Sequence, residues 1–142
     1  VNIECEDVAI VNIRFKNGAL GQIEATTATR PTDLEGSISV LGEKGTVVIG
    51  GFAVNRLDTW RFSGKDDVPI DCVENPPNVY GYGHETFYRY LKRHILQEEK
   101  ILVDSAEARK SISLLRAIYQ SIESGDTVYL GDDTSLCRLG SN

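Results

Sequence analysis

Apolar and polar residues alternate along the first half of the chain, which is the pattern of half-buried β-strands. The clearest case predicts a strand at residues 6–15, with four apolar side chains on one face: Ala9, Val11, Ile13 and Phe15. The pair Asn17-Gly18 follows. It favours a hairpin with a type I′ turn, because both central residues of that turn need positive φ. The returning strand is predicted at residues 20–27.

Further short strands are predicted at residues 37–41, 46–49 and 55–62, with an edge strand at residues 68–73. Consecutive hairpins of this kind build a largely antiparallel sheet. The apolar run at residues 47–49 gives its strand two apolar faces. Two explanations stay open for it: a central strand covered on both sides, or a sheet face that meets another subunit.

In the second half of the chain the apolar period changes from two residues to the 3.6 residues of a helix. A first helix is predicted from four residues at helical spacing: Phe87, Tyr88, Leu91 and Ile95. Asp104 with Glu107 resembles a capping box that opens a second helix, and Gly125 is a natural stop for it. A short strand is predicted at residues 128–130 and a flexible tail at residues 131–142.

These elements predict the α+β fold class, with an open, largely antiparallel or mixed sheet and two main helices packed on one of its faces. The chain has 142 residues, of which 41% are hydrophobic, so residues 1–130 suit a single domain with its own core. The sequence contains no methionine, and its first residues already lead into a strand. We therefore expect it to be a fragment of a longer protein.

Charge and composition argue against several functions. The formal net charge is −6 at pH 7 and the acidic residues are scattered, whereas nucleic-acid binding needs a clustered basic surface. No apolar run approaches the roughly 20 residues that span a bilayer, and no signal-peptide pattern is present. Three widely spaced cysteines fit reduced thiols in a cytoplasmic protein better than a disulfide framework. We therefore expect neither a membrane nor nucleic acid as a partner.

Residues 75–84, Asn-Pro-Pro-Asn-Val-Tyr-Gly-Tyr-Gly-His, separate the predicted strands from the helices. The two prolines fix φ and remove two backbone donors, so the segment is predicted to cross between the halves in a non-helical form. Tyr80, Tyr82 and His84 offer ring faces, hydroxyls and an imidazole to a ligand. The alternative is that the same side chains only anchor the loop at the start of the helix.

No complete cofactor or catalytic motif accompanies this segment. Residues 81–83, Gly-Tyr-Gly, lack the third glycine of a dinucleotide fingerprint and do not follow a strand. His84 and His94 point to different faces of a helix, so no shared metal ion is expected. Arg30 carries the planar fork that binds phosphate or carboxylate, although a solvated loop arginine is the simpler explanation.

Several short motifs form a familiar ordered set. They are Glu-Asp at 6–7, Phe-Lys-Asn-Gly-Ala-Leu-Gly at 15–21, Gly-Glu-Lys-Gly at 42–45, Gly-His at 83–84, Asp-Ser-Ala-Glu-Ala-Arg-Lys-Ser at 104–111, Ala-Ile-Tyr-Gln-Ser at 117–121 and Ser-Gly at 124–125. Over residues 6–130 this order resembles the C-terminal domain of the Gfo/Idh/MocA family of NAD(P)-dependent oxidoreductases. Residues 29–31, 34–37, 50–55 and 75–84 look most like the branch of UDP-N-acetylglucosamine (or its uronic acid) 3-dehydrogenases.

The resemblance implies a two-domain enzyme whose N-terminal Rossmann domain, absent from this chain, holds NAD or NADP. It also implies a C-terminal domain like that of glyceraldehyde-3-phosphate dehydrogenase, whose open sheet builds a homo-oligomer. The family's catalytic histidine, its neighbouring aspartate and its lysine match no residue here. The resemblance therefore assigns no catalytic, cofactor-binding or metal-binding residue to this chain, which is predicted to be inactive alone.

What the resemblance leaves to this chain is one wall of a sugar or nucleotide-sugar pocket. The candidate substrate contacts are Arg30, Asn78, Tyr80, Tyr82 and His84. The alternative is a stand-alone, non-enzymatic assembly or ligand-binding domain.

Overall fold

The computed structural model describes residues 6–32, 34, 36–64, 76–78, 80–97, 101 and 103–131. Its elements, in chain order, are β1 (Val8–Arg14), β2 (Leu20–Thr26), β3 (Ile38–Gly42), β4 (Gly45–Gly50), β5 (Arg56–Phe62), α1 (Gly83–Ile95) and α2 (Ser105–Ser124). The α+β class and the succession of strands before helices are thus confirmed. The predicted edge strand at 68–73 and the predicted tail beyond residue 131 lie outside the described residues.

The elements fall into two compact units, which are described separately. One unit contains β3, β4, β5, most of α1 and the loop that follows β2. The other contains most of the β1–β2 hairpin together with α2. The predicted packing of both helices on one sheet face stays a prediction.

The β1–β2 hairpin closes through a different turn from the one predicted. The amide of Gly18 donates to the carbonyl of Phe15 at 2.9 Å, and the amide of Phe15 donates to the carbonyl of Ala19 at 2.9 Å. Only Gly18 has positive φ, 89°; Asn17 does not. This is a type I turn followed by a left-handed residue, so the predicted type I′ turn is wrong. The pair Asn17-Gly18 fits this three-residue loop as well as the two-residue type I′ turn.

The three-stranded sheet has the order β3-β4-β5 and is antiparallel throughout. Its register places seven residues on one side, which we call the apolar sheet face: Ile38, Val40, Val47, Ile49, Leu57, Trp60 and Phe62. A β-bulge leaves Asp58 without a partner residue on β4. Leu41, paired with Thr46, points to the opposite side. The bulge is what brings Leu57 onto the apolar sheet face.

The second helix has the ends that the sequence predicts. At its start, Asp104 Oδ1 accepts a hydrogen bond of 2.9 Å from the amide of Glu107. At its end, the amide of Gly125 donates to the carbonyl of Ser121, and Gly125 has a φ of 76°. The strand predicted at 128–130 is wrong, because no described strand lies beside it and the chain instead turns back on α2, where Ser121 Oγ donates to the carbonyl of Asp126.

Few hydrophobic side chains are enclosed in the described part of the chain. Within the described ranges, Ala117 on α2 is the one hydrophobic residue that is buried. Large apolar side chains are exposed in both units, among them Ile38 and Val40 in the sheet and Ile112 on α2. The predicted single domain with its own core stays a prediction, and exposed apolar side chains of this kind are typical of surfaces that other polypeptide covers. None of the described helices combines the length and apolarity that a membrane crossing requires.

Candidate functional site

A cleft of about 560 Å³ lies between the loop that follows β2 and the loop that joins β4 to β5. Its described lining consists of Thr29, Arg30, Pro31, Thr32 and Phe52. Arg30 is tied back to its own loop, since Nη1 donates to the carbonyl of Thr29 at 2.6 Å and to that of Thr27 at 3.2 Å. The guanidinium is thereby held at the cleft while it remains exposed.

The β4–β5 loop, residues 51–55, presents Phe52 to this cleft. The amide of Val54 donates to the carbonyl of Gly51 at 3.1 Å, and the amide of Ala53 donates to Asn55 Oδ1 at 3.2 Å. Gly51 has a φ of 93°, and a Cβ there would lie 2.8 Å from Asn55 Oδ1. The turn therefore requires glycine at this position, both for its backbone conformation and for the close approach of Asn55.

Val54 in the same loop is a conformational outlier. Its φ is 54°, a left-handed value that is costly for a β-branched residue. Its Cγ2 lies 2.8 Å from the place where a Cβ on Gly36 would sit. Strained backbone of this kind persists where the surroundings enforce it, and it is found most often at functional sites. Val54 therefore packs closely against Gly36, where it leaves no room for a side chain.

The segment before α1 has the non-helical form that the prolines predict. In its described part, Asn78 Oδ1 accepts from the amide of Tyr80 at 3.0 Å, and the carbonyl of Asn78 accepts from the amide of Gly81 at 3.2 Å. Asn78 therefore shapes the turn with its own side chain. This local contact favours a structural role for Asn78, whose predicted contact with a substrate stays a prediction.

The aromatic candidates on this segment are accessible. Tyr80 and His84 meet edge to face, with ring centroids 5.9 Å apart and planes at 71°. Tyr82 is also exposed, and its carbonyl accepts from the amide of Thr86 in the first turn of α1. Because helix α1 begins at Gly83, the imidazole of His84 is held at a helix start.

The predicted site residues fall into two groups. Arg30 lines the cleft, whereas Asn78, Tyr80, Tyr82 and His84 lie on the segment before α1 and are not among its described lining. The β4–β5 loop is near both groups: Phe52 lines the cleft, and Ala53 Cβ lies 3.8 Å from where a Cβ on Gly81 would be. Phe52 was not among the predicted contacts. The signal for it was its place in residues 50–55, Gly-Gly-Phe-Ala-Val-Asn.

A charged pair closes the β4–β5 loop on its β5 side. Arg56 donates from Nε to Asp58 Oδ1 and from Nη2 to Oδ2, the latter at 3.3 Å. The hydrogen bond from Arg56 lowers the pKa of Asp58 below its usual value, outweighing the partial burial that would raise it. Asp58 is therefore a carboxylate at neutral pH, on the bulge that follows the loop.

Comparison with known proteins agrees with this architecture. The model of the oxidoreductase family, C-terminal alpha/beta domain (GFO_IDH_MocA), matches residues 1–130. The chain belongs to the Gfo/Idh/MocA oxidoreductase family. As the match is to the family's C-terminal domain, the strand-then-helix order described above is the order of a Gfo/Idh/MocA C-terminal domain.

Solved structures of two WlbA dehydrogenases resemble this Gfo/Idh/MocA domain. The enzyme from Bordetella pertussis, in complex with NADH and UDP-GlcNAcA, is 36% identical with a TM-score of 0.75. The enzyme from Chromobacterium violaceum, with the same two ligands, is 39% identical with a TM-score of 0.77. The matches cover 93% of this chain but only 36% and 37% of those proteins. The comparison with curated proteins finds no significant match.

Proposed function

We propose that this chain is the substrate-binding and oligomerisation domain of an NAD(P)-dependent dehydrogenase that acts on a sugar or nucleotide sugar. The observation that carries the proposal is the 36–39% identity, over 93% of the chain, to WlbA dehydrogenases that bind NADH and UDP-GlcNAcA. Since the chain spans little more than a third of those proteins, the remainder would include an N-terminal Rossmann domain. That domain would hold NAD or NADP, because this sequence has no dinucleotide fingerprint.

In the complete enzyme a sugar hydroxyl would lose its proton to a base, and the nicotinamide would accept the hydride. This chain would bind and orient the substrate. An exposed imidazole beside a tyrosine ring, as in His84 and Tyr80, can hydrogen-bond to sugar hydroxyls while a ring face covers the pyranose. The guanidinium of Arg30 suits a phosphate or carboxylate group of the same substrate. Tyr82 and Asn78 complete the proposed set.

The apolar sheet face supports the oligomerisation role. Val40 and Trp60 both lie on it and are exposed, and contiguous exposed apolar side chains mark protein interfaces. The same face has a shallow depression of about 410 Å³ between the β3–β4 turn and Phe62, into which side chains of a partner could pack. We propose that this face meets a second copy of the chain in a homo-oligomer.

The decisive experiment is an assay of the complete protein, expressed with whatever reading frame precedes Val1. NAD-dependent or NADP-dependent oxidation of UDP-GlcNAcA, followed as the absorbance of the reduced nicotinamide, would support the proposal. A complete protein that turns over neither a nucleotide sugar nor a free sugar would contradict it. Titration of the isolated chain with NAD(H) tests whether the cofactor is bound outside this chain. Binding tighter than millimolar would contradict that part of the proposal.

The alternative, a stand-alone assembly or ligand-binding domain, makes a different prediction about the gene. An upstream frame encoding a strand, a Gly-x-Gly-x-x-Gly turn and a helix would support the dehydrogenase. A start codon immediately upstream would support the alternative. The 36–39% identity to WlbA dehydrogenases favours the dehydrogenase.

A further inference from the structure

Three kinds of chemistry meet in the cleft between the β2 loop and the β4–β5 loop: a guanidinium, threonine side chains and an aromatic ring. We infer that this cleft binds the nucleoside diphosphate end of the substrate. In this arrangement Phe52 stacks on the planar base and Arg30 binds the diphosphate. The inference rests on the proposed function, and it adds Phe52 as a residue that determines substrate specificity.

The donors of Arg30 support the diphosphate half of this assignment. Two carbonyls of its own loop, those of Thr27 and Thr29, accept from Nη1 and fix the direction of the side chain. Its Nε and Nη2 have no hydrogen-bond partner among the described residues, and Arg30 is exposed. A guanidinium that is held in place can donate two parallel hydrogen bonds from its remaining N–H groups to two phosphate oxygens. Threonine hydroxyls beside it can donate to further oxygens.

The presentation of Phe52 supports the other half. Phe52 is 48% exposed, and the turn that carries it is closed by the hydrogen bonds from the amides of Val54 and Ala53. An exposed ring on a rigid loop offers a stacking surface that loses little conformational freedom when a ligand binds. Every base has a π-face that such a ring can cover. The cleft, at about 560 Å³, is also in the size range of small-molecule sites.

The cleft suits the base better than the reacting sugar. The sugar carbon that loses hydride must lie against the nicotinamide, and this chain has no motif that would hold that cofactor. The proposed sugar contacts in this chain, Tyr80 and His84, are not among the described lining of the cleft, so the cleft is assigned to the other end of the substrate. Binding energy from such a remote group can still orient the reacting end. Loss of Phe52 should accordingly weaken substrate binding without removing any reacting group.

The test is titration of the complete protein with UDP, in the presence of saturating NADH so that the cofactor site is occupied. The variant Phe52→Leu keeps an apolar side chain but removes the ring, and Phe52→Tyr keeps the ring. We expect Phe52→Leu to weaken UDP binding by about 10-fold or more, and Phe52→Tyr by less than about 3-fold. The matched control is Phe87→Leu on α1, since Phe87 is 43% exposed and is not among the described lining of the cleft.

The inference is overturned if the unchanged protein does not bind UDP, or if Phe52→Leu binds UDP as tightly as the unchanged protein. It is also overturned if Phe52→Leu weakens binding of NADH rather than UDP, or if Phe87→Leu has the same effect as Phe52→Leu. The proposed function fails separately. A protein that binds UDP through Phe52 but oxidises no UDP-sugar would keep this site and lose the dehydrogenase assignment.

Discussion

The imidazole of His84 meets the ring of Tyr80 edge to face, at a centroid distance of 5.9 Å, where α1 begins. We predict that His84→Ala in the complete enzyme raises KM for the nucleotide sugar by about 5- to 10-fold. The imidazole would no longer contact the sugar, and the ring of Tyr80 would lose a contact worth about 0.5–1.5 kcal/mol. The value of kcat should change less than KM, because the reacting groups are proposed to lie outside this chain.

The chain offers a matched control on the same helix. Phe87 and Tyr88 form a second edge-to-face pair with the same centroid distance, 5.9 Å. Tyr88 is 66% exposed and Tyr80 is 72% exposed, so the two tyrosines are comparable in accessibility. Tyr88→Ala should leave KM unchanged, while Tyr80→Ala should raise it as His84→Ala does. Equal effects of Tyr80→Ala and Tyr88→Ala would remove Tyr80 and His84 from the substrate site.

A second prediction concerns the strain in the β4–β5 loop. Val54→Gly removes the cost of a β-branched residue at a φ of 54°, and we expect it to stabilise the domain by about 1 kcal/mol. Gly36→Ala should destabilise by about 1–3 kcal/mol, because its Cβ would lie 2.8 Å from Val54 Cγ2. In the Val54→Gly background the same change should be nearly neutral. Denaturant unfolding of the unchanged protein, the two single variants and the double variant would measure the coupling free energy between positions 36 and 54. Additive effects would show that the contact is not responsible.

Features set by neighbouring residues were predictable from the sequence, and features set by distant residues were not. The ends of α2 follow from Asp104, Glu107 and Gly125, each acting within one helical turn. The Asn17-Gly18 pair indicated a hairpin but not its turn type, because both types accept the pair. Phe52 is not predicted, because it lines the cleft together with residues 29–32, which lie far from it in sequence. No periodicity reports such a contact.

The register of the sheet provides a third prediction, about assembly. Val40 and Leu41 are adjacent on β3 but point to opposite faces, and they are 58% and 80% exposed. Val40→Asp places a charge on the apolar sheet face, where burial in an interface would be costly, so the oligomer of the complete protein should dissociate. Leu41→Asp, at the more exposed neighbour, should leave the molar mass of the oligomer unchanged. Size-exclusion chromatography with light scattering would measure both. Dissociation by Leu41→Asp alone would place the interface elsewhere.

The ion pair between Arg56 and Asp58 predicts a defined pH dependence of stability. Because the hydrogen bond from Arg56 lowers the pKa of Asp58 in the folded chain below the usual 3.8, the pair stabilises the fold above that pH. Its contribution should disappear as the pH falls through the lower, folded-state pKa. Asp58→Asn should therefore be less stable than the unchanged protein at pH 7, with the difference vanishing in acid.

Free energies of unfolding measured from pH 7 down to about pH 2 would trace this difference. Glu43→Gln in the β3–β4 turn controls for the change in net charge, since Glu43 has no ion pair within the described residues. The pair is exposed to solvent, so the effect at pH 7 should also shrink when salt is added. A difference between Asp58→Asn and the unchanged protein that is the same at every pH would mean that Asp58 acts through the geometry of the bulge. In that case the charge of Asp58 would not contribute to stability.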